Sequence, residues 1–194
     1  MSKAWIVRDE QEGFAVVAFH HHGLAARRIG SHKLELDFED TECSRAPEFD
    51  QFAEAGEVPA KVLIEDGWWM ECHECGTKIT QDSDLSDLVE MGGFSVYCNS
   101  KCKADFEARK KAHKVRAEKF KAAVRRERPD LEFTEFFCDW PFITFQANFT
   151  FPGSKYGGSV RSQLGDSTDL TWHMANGDLE AWEGYERSRK EQSA

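Results

Sequence analysis

The sequence predicts an α+β fold of small antiparallel sheets, organised around two close cysteine pairs and carrying one long basic helix. Three observations lead there. Short runs of β-branched and aromatic residues alternate in polarity and are separated by glycine, proline and acidic turns. Four of the six cysteines form two pairs, Cys72 with Cys75 and Cys98 with Cys102. Residues 100–128 form a cationic stretch whose apolar positions recur at helical spacing.

The first unit spans residues 1–66. Residues 4–8 and 14–19 are β-type runs on either side of a polar, glycine-ended turn, the pattern of a hairpin. A helix over about 22–30 follows, with Leu24, Ala25 and Ile29 on one face. Leu34, Leu36 and Phe38 alternate with charged residues as in a half-exposed strand, and irregular chain is expected from Ala46-Pro47 onward. Pro59 suits a first helical position, residues 60–64 supply the turns and Gly67 the stop.

Residues 67–106 carry the cysteines. Trp68-Trp69-Met70 enters the first pair as a strand; residues 82–90 read as a short acidic helix ended by Gly92-Gly93; residues 94–97 form a strand that delivers Cys98. Ser100 is placed to cap the long helix, and Pro129 to end it. At ~1.5 Å per residue that helix is roughly 40 Å long. In residues 131–194 an aromatic-rich segment, 133–151, is assigned to the core. Residues 145–151 and 170–174 are strands there, Gly157-Gly158 loosens the chain between them, and a helix over about 179–190 closes it.

With 40% hydrophobic and 31% charged residues over 194 positions, the chain suits one sizeable core or two small ones. No apolar run has the length of a membrane span, and the first residues lack the features of a signal peptide, so a cytoplasmic protein with no membrane partner is expected. In a reducing compartment paired cysteines point to metal rather than disulfides, leaving Cys43 and Cys138 as ordinary thiols. Gly76 directly after Cys75 fits a tight metal-binding turn, because the following position often needs positive φ. Cys98 at a strand end and Cys102 in a first helical turn complete a four-sulfur set, for which one structural zinc ion is expected. The helix N-terminus, with Lys101 and Lys103, favours thiolate there.

Cys72-x-x-Cys75, the spacer, and Tyr97-Cys98-Asn99-Ser100-x-Cys102-x-x-x-Phe106 resemble the treble-clef FCS or MYM-type zinc fingers. In those fingers the second half runs Phe-Cys-Ser-x-x-Cys before an aromatic. Here Tyr97 stands for the phenylalanine, and the serine falls one place later. The resemblance covers residues 72–106 and implies a module that mediates protein or nucleic-acid contacts without chemistry. Residues 5–9, 45–49 and 67–73 are also similar to segments of small bacteriophage proteins.

The net charge of −10 hides an asymmetry. Twelve Lys or Arg face four acidic residues over 101–128, a local +8, so the remainder carries −18. Lys103, Arg109, Lys110, Lys114, Arg116, Lys121 and Arg125 could follow a phosphate backbone, or could be solvated and pair with the acidic body. His20, His21 and His22 are consecutive and point in different directions; His73 is expected exposed between two ligands. A nucleobase deaminase needs a His-x-Glu and an open metal position, and an HNH-type nuclease needs a second, histidine-bearing site, for which His113 stands alone. The expectation is a non-catalytic zinc-binding interaction protein, phage-encoded, whose acidic surface binds a host or viral protein, a defence component among the options. The alternative is nucleic-acid binding through the basic helix.

Overall fold

A computed structural model describes residues 2–9, 11, 13–92, 95–163 and 169–192. Contacts divide the chain into two compact units, Met1–Ala104 and Asp105–Ala194.

In the first unit β1 (Lys3–Asp9) pairs antiparallel with β2 (Ala15–His20) and with β3 (Thr41–Arg45), in the order β2-β1-β3. The helix α1 (Gly23–Leu34) covers one face through Ala26, packed with Val7, Val16 and Ala18. The register puts Val7 opposite both Val16 and Cys43, so these side chains share that face. Gly30, expected at the helix end, lies inside α1, where an added Cβ would stand 2.4 Å from the Val7 Cβ. Leu34 therefore belongs to α1 rather than to a strand. The helix closes at Glu35 in the left-handed region (φ 57), Phe38–Asp40 make a 3-10 turn, and the third strand forms seven residues later than the alternation suggested. Packing against the sheet outweighs the local pattern.

The next helix, α2 (Ala60–Glu65), begins after Pro59, one residue later than expected, with the Glu90 carboxylate accepting the N–H groups of Ala60 and Lys61. It ends as predicted at Gly67 (φ 92): Gly67 N–H donates to the Ile64 carbonyl and Trp68 N–H to that of Leu63, which satisfies two terminal carbonyls. Two short antiparallel pairs follow, β4 (Met70–Glu71) with β5 (Lys78–Ile79) and β6 (Val89–Glu90) with β7 (Val96–Tyr97), then α3 (Ser100–Glu127). The acidic helix expected over 82–90 does not form. Its side chains bind backbone elsewhere: Asp84 accepts Ser86 N–H, Asp87 accepts Ser100 N–H, and Glu90 caps α2. Such competition is why Asp and Ser favour turns and caps over helix interiors. Of the expected strand 94–97, Phe94 lies outside the described residues.

In the second unit β8 (Glu132–Phe137), β9 (Phe145–Thr150), β10 (Gly158–Ser162) and β11 (Thr171–Met174) form an antiparallel meander. The strand β10 occupies chain read as loosened by glycine. Gly158 opens it because the Phe149 ring and the His173 carbonyl leave no space for a Cβ. On one sheet face, Phe145, Ala147 and Val160 pack against Ala117, Phe120 and Val124 of α3. Against Leu131, Phe149 and Phe151 lie Trp182 and Tyr185 of α4 (Leu179–Gln192). The aromatic segment is only partly core: Phe145, Phe149 and Phe151 are buried, whereas Phe137, Phe142 and Ile143 are exposed. Phe133 and Phe136 both meet the core although three residues apart, because a bulge at Thr134 makes up the odd residue. Among the described residues no helix is long and apolar enough to cross a membrane.

Candidate metal centre

The sulfurs of Cys72, Cys75, Cys98 and Cys102 all lie within 4.8 Å of one another and could hold a metal ion. Among the described residues, this is the only group of three or more Cys, His, Asp or Glu gathered in that way. Each element places its sulfur for a local reason. The β4–β5 turn is closed by hydrogen bonds from Cys72 N–H to the Thr77 carbonyl and from Gly76 N–H to the Cys72 carbonyl. It needs Gly76 at φ 69, a conformation that carries no Cβ penalty only for glycine. The turn is tied to β7 by His73 N–H donating to the Val96 carbonyl, and the Cys98 N–H then donates to Cys72 Sγ at 3.3 Å.

Cys98 and Cys102 are held by Asn99, and not by Ser100, the cap expected from the sequence. The Asn99 Oδ1 accepts the Cys102 N–H at 2.8 Å, which makes Asn99 the helix cap, and its Nδ2 donates to Cys98 Sγ at 3.4 Å. Ser100 is instead the first helical residue and gives both its N–H and its hydroxyl to Asp87. The signal was in the sequence, as an asparagine three positions before a first-turn residue is a capping pattern.

The four thiols respond unequally to their surroundings. Hydrogen bonds from the Thr77 side chain and backbone bring Cys75 down to about 6, and Thr77 Oγ1 stands 3.2 Å from its sulfur. Burial pushes Cys98 up. The bond to the Cys98 sulfur, 3.4 Å away, followed by burial, pushes Cys102 up strongly. One thiolate raises the cost of the next at these distances, so all four ionise together only around a cation. The residues fit a metal ion in that sense, with four sulfurs available as ligands.

The other predicted residues are dispersed. Histidines 20 to 22 sit at the end of β2, where His20 Nδ1 accepts the His22 N–H. His73 is exposed, its ring 5.9 Å from that of Tyr97. His113 is buried and its Nε2 lies 2.8 Å from the Phe142 carbonyl oxygen, a packing role. On α3, Lys103, Lys110 and Lys114 are exposed. Arg109 stacks over Trp140, and Lys121 and Arg125 lie 5.9 and 4.7 Å from the Phe136 ring centroid. Arg116 is half-buried. Of the remaining thiols, Cys43 is half-buried and Cys138 buried.

Comparison with protein-family models, with curated proteins and with solved structures finds no match to this chain.

Proposed function

We propose that the four sulfurs hold one structural zinc ion and that the chain is a non-catalytic interaction protein whose acidic surface binds a basic surface of a protein partner. The observation that carries this reading is the closed four-sulfur site. In a tetrahedron with Zn–S of about 2.3 Å, sulfurs are about 3.8 Å apart. Cys75 and Cys98 are separated by 3.8 Å, and Cys98 and Cys102 by 3.4 Å. An all-thiolate tetrahedron suits zinc or iron, and zinc forms it without redox chemistry. With no position left for water, such an ion staples and does not catalyse. The order of a two-cysteine turn, a β-hairpin and a helix that supplies the last ligand supports the treble-clef reading.

The charge left outside residues 101–128 favours a cationic partner. On the resemblance to bacteriophage segments, that partner is a host or viral protein, with components of host defence among the candidates. Affinity capture from host lysate, with and without nuclease, tests the class. A protein retained after nuclease and released by salt is expected; loss of all capture on nuclease treatment would overturn it.

One observation favours a second reading. Lys103, Lys110 and Lys114 make no ion pair among the described residues, and their spacing aligns them in a single stripe along α3. Such a stripe can follow phosphates. A gel shift whose affinity falls steeply with salt, and which the triple alanine variant loses, would establish it.

A further inference from the structure

The first unit contains a groove of about 1140 Å³ with a mixed apolar and charged lining, between Gly13 and Phe14 with the end of α1 on one side and the chain from α2 into β4 on the other. Its apolar lining includes Phe14, Leu34, Leu36, Trp68, Trp69 and Met70. Phe14 is 52% exposed and Trp69 46%, so two large aromatic rings stand half in water on the walls. Exposed aromatics in a concave site are the usual anchors of recognition, and the volume exceeds the ordinary small-molecule range.

The charges on the lining select the occupant. Asp9, Asp40, Glu48, Asp66 and Glu71 line it with only Arg8 and Lys33 of opposite sign, an excess of three negative charges. The carboxylates of Asp40, Glu48, Asp66 and Glu71 have no hydrogen-bond or ion-pair partner among the described residues. Unpaired carboxylates beside tryptophan form a surface complementary to ammonium and guanidinium groups, through charge and through the aromatic faces. Trp69 already shows the second interaction, with Lys78 Nζ 4.5 Å from its ring centroid.

We propose that this groove binds a segment of the partner protein in which apolar side chains are flanked by lysine or arginine. The proposal rests on the acidic-surface reading above and narrows it to one place. The wall is also tied to the metal centre. Trp68 is fixed by its N–H bond to the Leu63 carbonyl, and Trp69 is followed by Met70 and Glu71 of β4, directly before Cys72. Order in the sulfur-bearing turn is therefore order in the groove wall.

The test uses the metal-loaded full chain and a short fluorescein-labelled peptide in which lysines flank a central leucine pair, beside its glutamate counterpart. Saturable, salt-sensitive binding of the lysine peptide alone is expected. Asp40→Lys/Asp66→Lys should weaken it at least about tenfold, as should Trp69→Ala, which changes no charge. Glu54→Lys/Asp82→Lys, which makes the same change of charge outside the groove, should leave it within about twofold. Equal losses in both charge-reversed proteins would overturn the groove while leaving the acidic-surface reading intact. Absence of peptide binding would also overturn the groove, and the lysate capture would still decide the broader reading.

Discussion

The Asn99 carboxamide joins Cys98 to Cys102: its oxygen accepts the Cys102 N–H at 2.8 Å and its nitrogen donates to the Cys98 sulfur at 3.4 Å. One side chain thus starts α3 and orients the two sulfurs that flank the start. Asn99→Ala should remove a cap worth about 1 kcal/mol. It should also weaken metal binding by about tenfold or more, as loss of a group that orients ligands does. Competition with a chromophoric chelator measures the second effect. Asn99→Asp, which keeps the cap but loses the N–H donor to sulfur, should recover helix stability without full metal affinity.

Metal removal should unfold residues 68–105 selectively. The segments that carry Cys72, Cys75 and Cys98 are two-residue strands and turns, whereas Phe120, Phe145 and Val160 belong to a cluster that includes none of them. Chelation should abolish hydrogen-exchange protection at Cys72, Gly76, Cys98 and Cys102 and leave protection in β9 and β10. Because thiolates bind metal and thiols do not, acid favours release. Metal content followed by dialysis should fall as pH drops, because protons compete with the ion for the four sulfurs.

What the sequence disclosed and what it hid divide along physical lines. The cysteine pairs, Gly76, Gly67 and the extent of α3 were legible because each depends on local chemistry: ligand spacing, positive φ, helical period. The acidic segment 82–90 misled because Asp and Glu look alike in a pattern whether they lie on a helix or cap one. Gly30 misled because its reason is Val7, more than twenty residues away. The groove was invisible for the same cause, since its two walls come from residues 6–48 and 66–71.

Gly30→Ala provides the cleanest measure of that hidden constraint. In an exposed helix the change would stabilise by up to about 1 kcal/mol. Here the new Cβ would meet three Val7 side-chain atoms at 2.4 to 2.7 Å, and overpacking of this kind costs roughly 1–3 kcal/mol. The net effect should be destabilising, read as a lower midpoint in urea with an unchanged slope.

Asp130 should give the second unit an acid-sensitive component. Its carboxylate accepts hydrogen bonds from Arg128 and from the Tyr185 hydroxyl, and the Arg128 bonds lead in bringing it down to about 2. A carboxyl depressed in the folded state contributes stability above its unfolded value of about 4, and that contribution is lost as pH falls from about 4 through about 2. Asp130→Asn should therefore be less stable than the parent near pH 6 and approach it near pH 2. Paired urea melts of the two proteins across that range show whether the difference closes.

The bulge at Thr134 has a consequence for the chain in a crowded cell. The strand that contains it is the outermost of its sheet and bears Phe133, Phe136 and Phe137, a composition that invites stacking of one molecule's sheet on the next. The extra residue breaks the regular ladder along that margin, and Glu132 and Glu135 place like charges where two copies would meet. The aromatic-rich β8 is in this way unsuited as a template for pairing with a second copy along that edge.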